Sequence, residues 1–170
     1  THGFNFPNSF TIKPTENNYL FWASPNHGMG MCGGMAFASL DSFYANVKSP
    51  PTADGKAPHQ NSKLRGYIWD RLKDSIGNGR CVRMLLKWIF QSNDSEIRME
   101  TQKEIENNIL PQLRRGQPVP LVLFNNRIIP WDNHQVLAIG FIEYPQKKVL
   151  TSISGLGVPE GPKDRNLDRV

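Results

Sequence analysis

Cysteine is scarce in this sequence, because the 170 residues include only Cys32 and Cys81. Two cysteines do not make the disulfide framework that holds small secreted scaffolds together. Cys81 lies within an apolar helical pattern and is predicted to be a core residue, although pairing with Cys32 is not excluded. The chain must therefore depend on a hydrophobic core, and its cysteines do not indicate a redox compartment.

The sequence also lacks the spacings that mark metal and nucleotide sites. Its four histidines are scattered, without the short intervals that separate zinc ligands. The glycine-containing stretches at 77–80 and 155–161 do not fit a phosphate-binding loop and predict turns. We expect no metal ion and no organic cofactor.

No run of about 18 apolar residues is present, so we expect no membrane span. The net charge is +5, with seven basic and two acidic side chains between residues 63 and 87. Such a segment can attract anionic partners, but no nucleic-acid-binding signature accompanies it. The sequence predicts a solvated helix face there and no nucleic-acid partner.

The length and the hydrophobic content of 38% predict one domain spanning residues 1–170. The first residue is threonine, and the start lacks a basic and apolar signal pattern. The polar tail at 155–170 is predicted to be a loop or a frayed end. A processed chain, or a piece of a larger parent chain with which it associates, is one hypothesis for this organisation.

Helical patterns come first in the sequence and strand patterns last. The periodicity predicts a helix starting at Cys32, an amphipathic helix over 64–76, and two more over 82–89 and 97–113, with Pro111 bending or shortening the last one. After Gly116 the stretches PVPLVLF, HQVLAIGFIEY and KKVLTSI predict antiparallel strands. This order predicts an α+β fold.

The first thirteen residues are predicted to be irregular and held by three phenylalanines, Phe4, Phe6 and Phe10. Residues 19–23 form a short aromatic run that is consistent with a strand or an extended lead-in.

Cys32 stands in the stretch NHGMGMCGGMAF, behind a glycine-bearing loop and at the predicted start of a helix. A thiol attacks as its thiolate, and the unpaired N–H groups of a helix N-terminus favour that anion. Gly33 and Gly34 cost helix propensity, and we expect their missing side chains to leave room for a substrate backbone beside the sulfur. The stretch therefore predicts a nucleophile in a cleft.

A nucleophilic thiol needs a base delivered from elsewhere in the fold. His134 begins the strong apolar strand in WDNHQVLAIGF and is the candidate. Asn26, six residues before Cys32, offers an amide that can stabilise an oxyanion together with the Cys32 backbone N–H.

The pair NHGMGMCGGM and NHQVLAIGF resembles the papain-like cysteine peptidase fold, and is similar to C39-like and related papain-like proteins. The resemblance covers about 30 residues directly. It implies a helical half carrying Cys32 as nucleophile, packed on an antiparallel sheet half carrying His134 as general base and acid. It makes Asn26 the oxyanion donor, where the family commonly has the longer glutamine.

One member of the family pattern is missing: the Asn or Asp that orients the imidazole. The following strand offers only Ser152 and Ser154. One candidate is Asp132, beside the histidine, and another is a residue beyond Val170. The polar tail offers three more: Asp164, Asn166 and Asp168. A Cys-His dyad alone works more slowly, because its histidine is unoriented.

The resemblance implies a thiol hydrolase that cleaves a peptide or amide bond of a protein or peptide substrate through an acyl-enzyme. The alternatives are a toxin or effector domain, secreted or delivered, that transfers an acyl group or deamidates a target, and a non-enzymatic domain that binds a partner. Each of the three candidate residues also has an interpretation without a catalytic role. Cys32 would be a small apolar residue at a helix start, His134 a cap at the end of a strand, and Asn26 a turn residue. The three methionines Met29, Met31 and Met35 fit either an adaptable surface near the site or the core.

Overall fold

The structure, a computed structural model, describes residues 2–10, 30–77, 80–91, 93–124, 133–144 and 147–153. The helices are α1 (Cys32–Tyr44), α2 (Lys63–Gly77), α3 (Arg80–Gln91), α4 (Asp94–Glu104), a π-helical turn (Ile105–Ile109) and α5 (Leu110–Arg114). The strands are β1 (Val119–Leu123), β2 (His134–Tyr144) and β3 (Lys147–Ile153). Helices precede an antiparallel sheet, so the predicted α+β class is confirmed.

Helix α2 packs its apolar face against α1. Ile68 and Leu72 are buried, and Leu64 and Ile76 pack against the same cluster. These four residues recur every fourth position, which places them on one face of a helix. The predicted amphipathic helix is confirmed.

The N-terminal segment, residues 2–10, is irregular and fixed by its aromatic side chains. Phe4, Phe6 and Phe10 are all buried. They form one cluster with residues of α1 and α2, and the whole cluster comprises Phe4, Phe6, Phe10, Met31, Met35, Ala38, Ile68 and Leu72. The prediction of three phenylalanines anchoring an irregular segment is confirmed, and Met31 and Met35 belong to the core.

The long helical pattern after α3 is interrupted as Pro111 requires. Helix α4 starts at a capping box in which the side chain of Asn93 accepts from the N–H of Glu96 and the Glu96 carboxylate accepts from the N–H of Asn93. The helix then widens into the π-helical turn, and Pro111 lies in the first turn of α5. A proline has no N–H and crowds the preceding turn, so the wider turn accommodates it.

The sheet has the order β1-β2-β3, with both pairs antiparallel. Val119 pairs with Ala138 and Leu123 with His134, while β3 pairs with β2 from Ile153 opposite Leu137. The three strand predictions are confirmed. A second apolar cluster lies between the sheet and the α5 region, formed by Ile109, Leu113, Val119 and Ala138.

The basic segment is not uniformly solvated, so that expectation is wrong in part. Arg65 is only 1% exposed, with its guanidinium over the rings of Phe10 and Trp69. Arg71 forms an ion pair with Asp41 of α1 at 2.8 Å. Delocalised guanidinium groups stack on aromatic rings and tolerate burial better than ammonium groups do. These two arginines join α2 to its neighbours.

Several predictions lie outside the described residues: the extended run at 19–23, the tail at 155–170 and the environment of the Cys81 side chain. In the part of the chain that the structure describes, no helix is long and apolar enough to cross a membrane.

Candidate active site

Cys32 is the first residue of α1 and a free thiol at intermediate exposure. Met31 precedes it as the N-cap residue, without a side-chain cap of its own. The first intrahelical bond runs from the N–H of Met35 to the carbonyl of Met31, so the N–H groups between them have no partner within the helix. The predicted position of the thiol at a helix N-terminus is confirmed.

Gly33 and Gly34 do not leave space beside the sulfur, and that expectation is wrong. A Cβ atom on Gly34 would lie 2.1 Å from the carbonyl oxygen of Ile68 in α2. A Cβ atom on Gly33 would lie 2.4 Å from both the Gln135 Oε1 and the Ser75 Oγ. The two glycines therefore allow α1 to approach α2 and β2 closely, and this close packing sets the position of Cys32.

His134 is the first residue of β2 and is half-buried. Burial lowers the pKa of its imidazole, because the charged form loses solvation. The lowered pKa favours the neutral ring, which is the form that accepts a proton from a thiol.

Cys32 and His134 line the same small cavity of about 50 Å³. Its wall is built by Gly3, Phe4 and Asn8 of the N-terminal segment, Cys32, Met35, Ala36 and Ser39 of α1, and His134, Gln135, Val136 and Leu137 of β2. The cavity has room for only a few water-sized groups. The structure thus brings together two of the three residues that the sequence singled out.

A backbone hydrogen bond joins the thiol to the strand that carries His134. The N–H of Gln135 donates to Cys32 Sγ at 3.3 Å. Neighbouring residues of a strand direct their N–H groups to opposite sides, and the described part of β3 ends opposite Leu137. The Gln135 N–H bonds to the sulfur of α1 and therefore points away from β1. The described part of β3 does not extend as far as Gln135, so α1 and not β3 supplies the acceptor.

Asn8 is the residue at this site that the sequence did not reveal. Its Oδ1 accepts a hydrogen bond from the N–H of Met31 at 2.5 Å, and the side chain lines the cavity. The contact joins residues 23 positions apart, so no local pattern predicts it. The only sequence signal was the glycine before Met31, since a Cβ atom on Gly30 would lie 2.9 Å from Asn8 Nδ2.

The other predicted site residues are not among those described. Asn26 and Asp132 lie outside the described residues, as do Asp164, Asn166 and Asp168. Ser152 and Ser154 give no further information, because the first has a described backbone only and the second is not described. Among the described residues, none hydrogen-bonds to the His134 imidazole. The residue that orients the imidazole stays a prediction.

A second cavity is far larger, at about 1870 Å³, and lies between α3, α4, the π-helical turn and β1. It is lined mainly by apolar and charged side chains, with no cysteine or histidine among its described lining residues. No group of three metal-ligating side chains occurs in the described part of the chain.

The chain matches no protein-family model, no curated protein and no solved structure.

Proposed function

We propose that this protein is a cysteine hydrolase of papain-like architecture, which cleaves a peptide or amide bond through an acyl-enzyme. The observation that supports it best is the shared cavity of Cys32 and His134, with the thiol held by the Gln135 N–H. A nucleophile and a base from distant parts of the chain, meeting in one cavity, are typical of nucleophilic catalysis.

The papain-like architecture is supported by the position of the two groups in the fold. A thiol at a helix N-terminus and the first residue of a strand in an antiparallel sheet line the same cavity, and Gln135 links the two elements. The sequence order, with the cysteine helix first and the histidine strand last, agrees with the resemblance of the two motifs.

The reaction begins with proton transfer from the Cys32 thiol to the neutral His134 imidazole. The sulfur then attacks the substrate carbonyl carbon, a C–S bond forms, and the oxygen takes the negative charge. Collapse of this intermediate breaks the C–N bond, and His134 gives its proton to the leaving amine.

In the second half, His134 takes a proton from water, and the resulting hydroxide attacks the thioester carbonyl. The C–S bond breaks and releases a carboxylic acid, and His134 returns its proton to the sulfur, which restores the thiol and the neutral imidazole. We assign stabilisation of the oxyanion in both halves to the N–H groups at the start of α1, which have no partner within the helix.

A second candidate, deamidation of a glutamine or asparagine side chain, is favoured by the small size of the cavity. A space of about 50 Å³ suits a slender side-chain amide better than a bulky peptide with side chains on both sides of the bond. The chemistry is the same, except that the leaving group is ammonia and the product is a side-chain carboxylate.

The test is incubation of the full chain with a mixture of peptides and intact proteins, followed by mass spectrometry. We expect new peptide termini with the natural chain and with Cys81→Ala, but not with Cys32→Ala or His134→Ala. Conversion of side-chain amides to carboxylates without new termini would support deamidation instead. If neither product depended on Cys32, the proposal would be wrong and a partner-binding domain would be favoured.

A further inference from the structure

We infer that Asn8 is an oxyanion donor of this site, through its Nδ2 amide group. The inference rests on the proposed function, because an oxyanion forms only if Cys32 attacks a carbonyl. It adds a catalytic residue that lies outside both sequence motifs.

The orientation of the Asn8 carboxamide is fixed by its partner. The Met31 N–H needs an acceptor, so the atom 2.5 Å from it is the side-chain oxygen. The NH₂ group then occupies the other arm of the planar amide. This arm lies beside Gly30, and Asn8 lines the cavity together with Cys32 and His134, so we assign the Nδ2 group as the donor there.

The amide is also held in place by close contact with a glycine. Asn8 Nδ2 lies 2.9 Å from the position that a Cβ atom on Gly30 would occupy. Any larger residue at position 30 would push the amide aside. The loop before Cys32 thus leaves room for a neighbouring carboxamide.

The backbone N–H of Cys32 is a second donor, in addition to the Asn8 Nδ2 group. Asn8 satisfies the N–H of Met31, and no described residue accepts from the N–H of Cys32, the next residue in the chain. A side-chain amide and the nucleophile's own N–H together provide two donors, which is the arrangement that stabilises tetrahedral oxyanions.

The segment that carries Asn8 is anchored on both sides of it. Phe6 and Phe10 are almost fully buried in the core. A donor on a fixed segment needs little reorganisation when charge develops on the oxyanion, and preorganisation of this kind accounts for much of the effect of such donors.

Two reagents separate this role from activation of the thiol. Iodoacetamide alkylates a thiolate by displacement, without an oxyanion. p-Nitrophenyl acetate is attacked at its carbonyl carbon: a C–S bond forms, the oxygen becomes anionic, and collapse expels p-nitrophenolate. The rate of each reaction at Cys32 is measured in a Cys81→Ser background, by peptide mass spectrometry and by p-nitrophenolate release.

The informative variant is Asn8→Asp, because it keeps an oxygen to accept from Met31 but replaces the amide donor. We expect the ratio of acylation to alkylation to fall by about 100-fold, the usual effect of losing one such donor. Gly30→Ala should lower the ratio in the same way, since its methyl group displaces the amide. Asn5→Ala is the matched control, because Asn5 lies in the same segment but bonds to Thr52 instead.

Unchanged ratios in Asn8→Asp and Gly30→Ala would overturn the inference, and so would equal losses of both rates. A fall caused by Asn26→Ala but not by the Asn8 variants would assign the role to Asn26. Failure of the proposed function has a different signature: in the natural chain, alkylation of Cys32 would be independent of His134. The ratio of acylation to alkylation at Cys32 would still report on Asn8 in that case. Failure of the proposed function and failure of the inference about Asn8 are therefore distinguishable.

Discussion

The two apolar regions of this protein differ in how completely they are closed. In the first, the phenylalanines of the N-terminal segment pack in one cluster with α1 and α2, and the cavity between this segment, α1 and β2 is only about 50 Å³. In the second, α3, α4 and the π-helical turn leave a cavity of about 1870 Å³ beside β1. Large side chains there are exposed, among them Leu86, Phe90 and Leu123.

The two candidate catalytic side chains lie in the closed region. Cys32 and His134 share the small cavity, whereas the lining residues described for the large one include neither a thiol nor an imidazole. Close packing holds the sulfur, the Gln135 N–H and the Asn8 amide in fixed positions, and a wide cavity cannot do so. Close packing therefore distinguishes the candidate site from the larger cavity.

The largest expected effect comes from truncating a phenylalanine of the closed region. Phe6 is 1% exposed, so Phe6→Ala should lower the free energy of unfolding by about 3–5 kcal/mol. Phe90 of the open region is 70% exposed, and Phe90→Ala should change it by less than about 0.5 kcal/mol. Urea unfolding of both variants checks the difference, and equal losses would show that the regions are not distinct.

The contact between α1 and α2 gives the next effect. Gly34→Ala brings a methyl group against the Ile68 carbonyl, so the helices must separate, and we expect a loss of about 3 kcal/mol. Gly66→Ala in α2 is the control, because no atom outside its neighbours and the adjacent helix backbone lies within 4 Å of its Cβ position. That change should stabilise the helix by about 0.5–1 kcal/mol. Thermal unfolding measures both, and a neutral Gly34→Ala would contradict the close packing.

The hydrogen bond from Gln135 to the thiol predicts a smaller effect, on reactivity. Gln135→Pro deletes the N–H, which points away from β1 and is not needed for the β1–β2 pairing. Gln135→Ala keeps it. A hydrogen bond to a charged acceptor contributes about 1.5–3 kcal/mol, so Gln135→Pro should slow alkylation of Cys32 at least tenfold.

In Gln135→Ala, Cys32 should be alkylated at nearly the rate of the natural chain. If both variants slowed alkylation equally, the side chain and not the N–H would be responsible. Replacing the residue with its α-hydroxy acid removes the same N–H without a proline ring, and it should reproduce the Gln135→Pro result if the fold is intact.

The smallest effect is on stability as a function of pH. Cys32→Ser serves as the background, so that no thiol titrates beside the imidazole. Burial lowers the pKa of His134 below that of an unfolded histidine, about 6.5. The unfolded chain then binds the proton more readily, so stability falls as pH drops below about 6.5 and levels off below the folded pKa. His134→Gln in the same background should remove that part of the dependence. An unchanged pH profile would show that the pKa of His134 is not lowered in the folded chain.

Regular elements were predictable from the sequence, because apolar periodicity determines them locally. The strands beginning at His134 and Lys147 and the helix beginning at Cys32 start where the pattern places them. What depends on tertiary contact was not predictable. From the sequence, the missing side chains of Gly33 and Gly34 predict room for a substrate. Only the positions of α2 and β2 show that these glycines allow close packing instead.

The same holds for polar residues at the site. Asn8 lies 24 positions before Cys32 and joins the site only through its contact with Met31. The sequence predicts Arg65 among solvated charges, yet it is buried, with its guanidinium over the rings of Phe10 and Trp69. A sequence shows which residues can react or carry charge, but packing decides which of them meet.

The most direct test of the proposed pair is the pH dependence of iodoacetamide alkylation at Cys32, with Cys81 in the same sample as the reference thiol. If the thiol of Cys32 gives its proton to His134, alkylation of Cys32 will persist at about pH 6, and His134→Ala will abolish this acid reactivity. If Cys32 instead reacts only at alkaline pH, as an ordinary thiol does, with or without His134, the chain has no activated nucleophile and the proposed function is wrong.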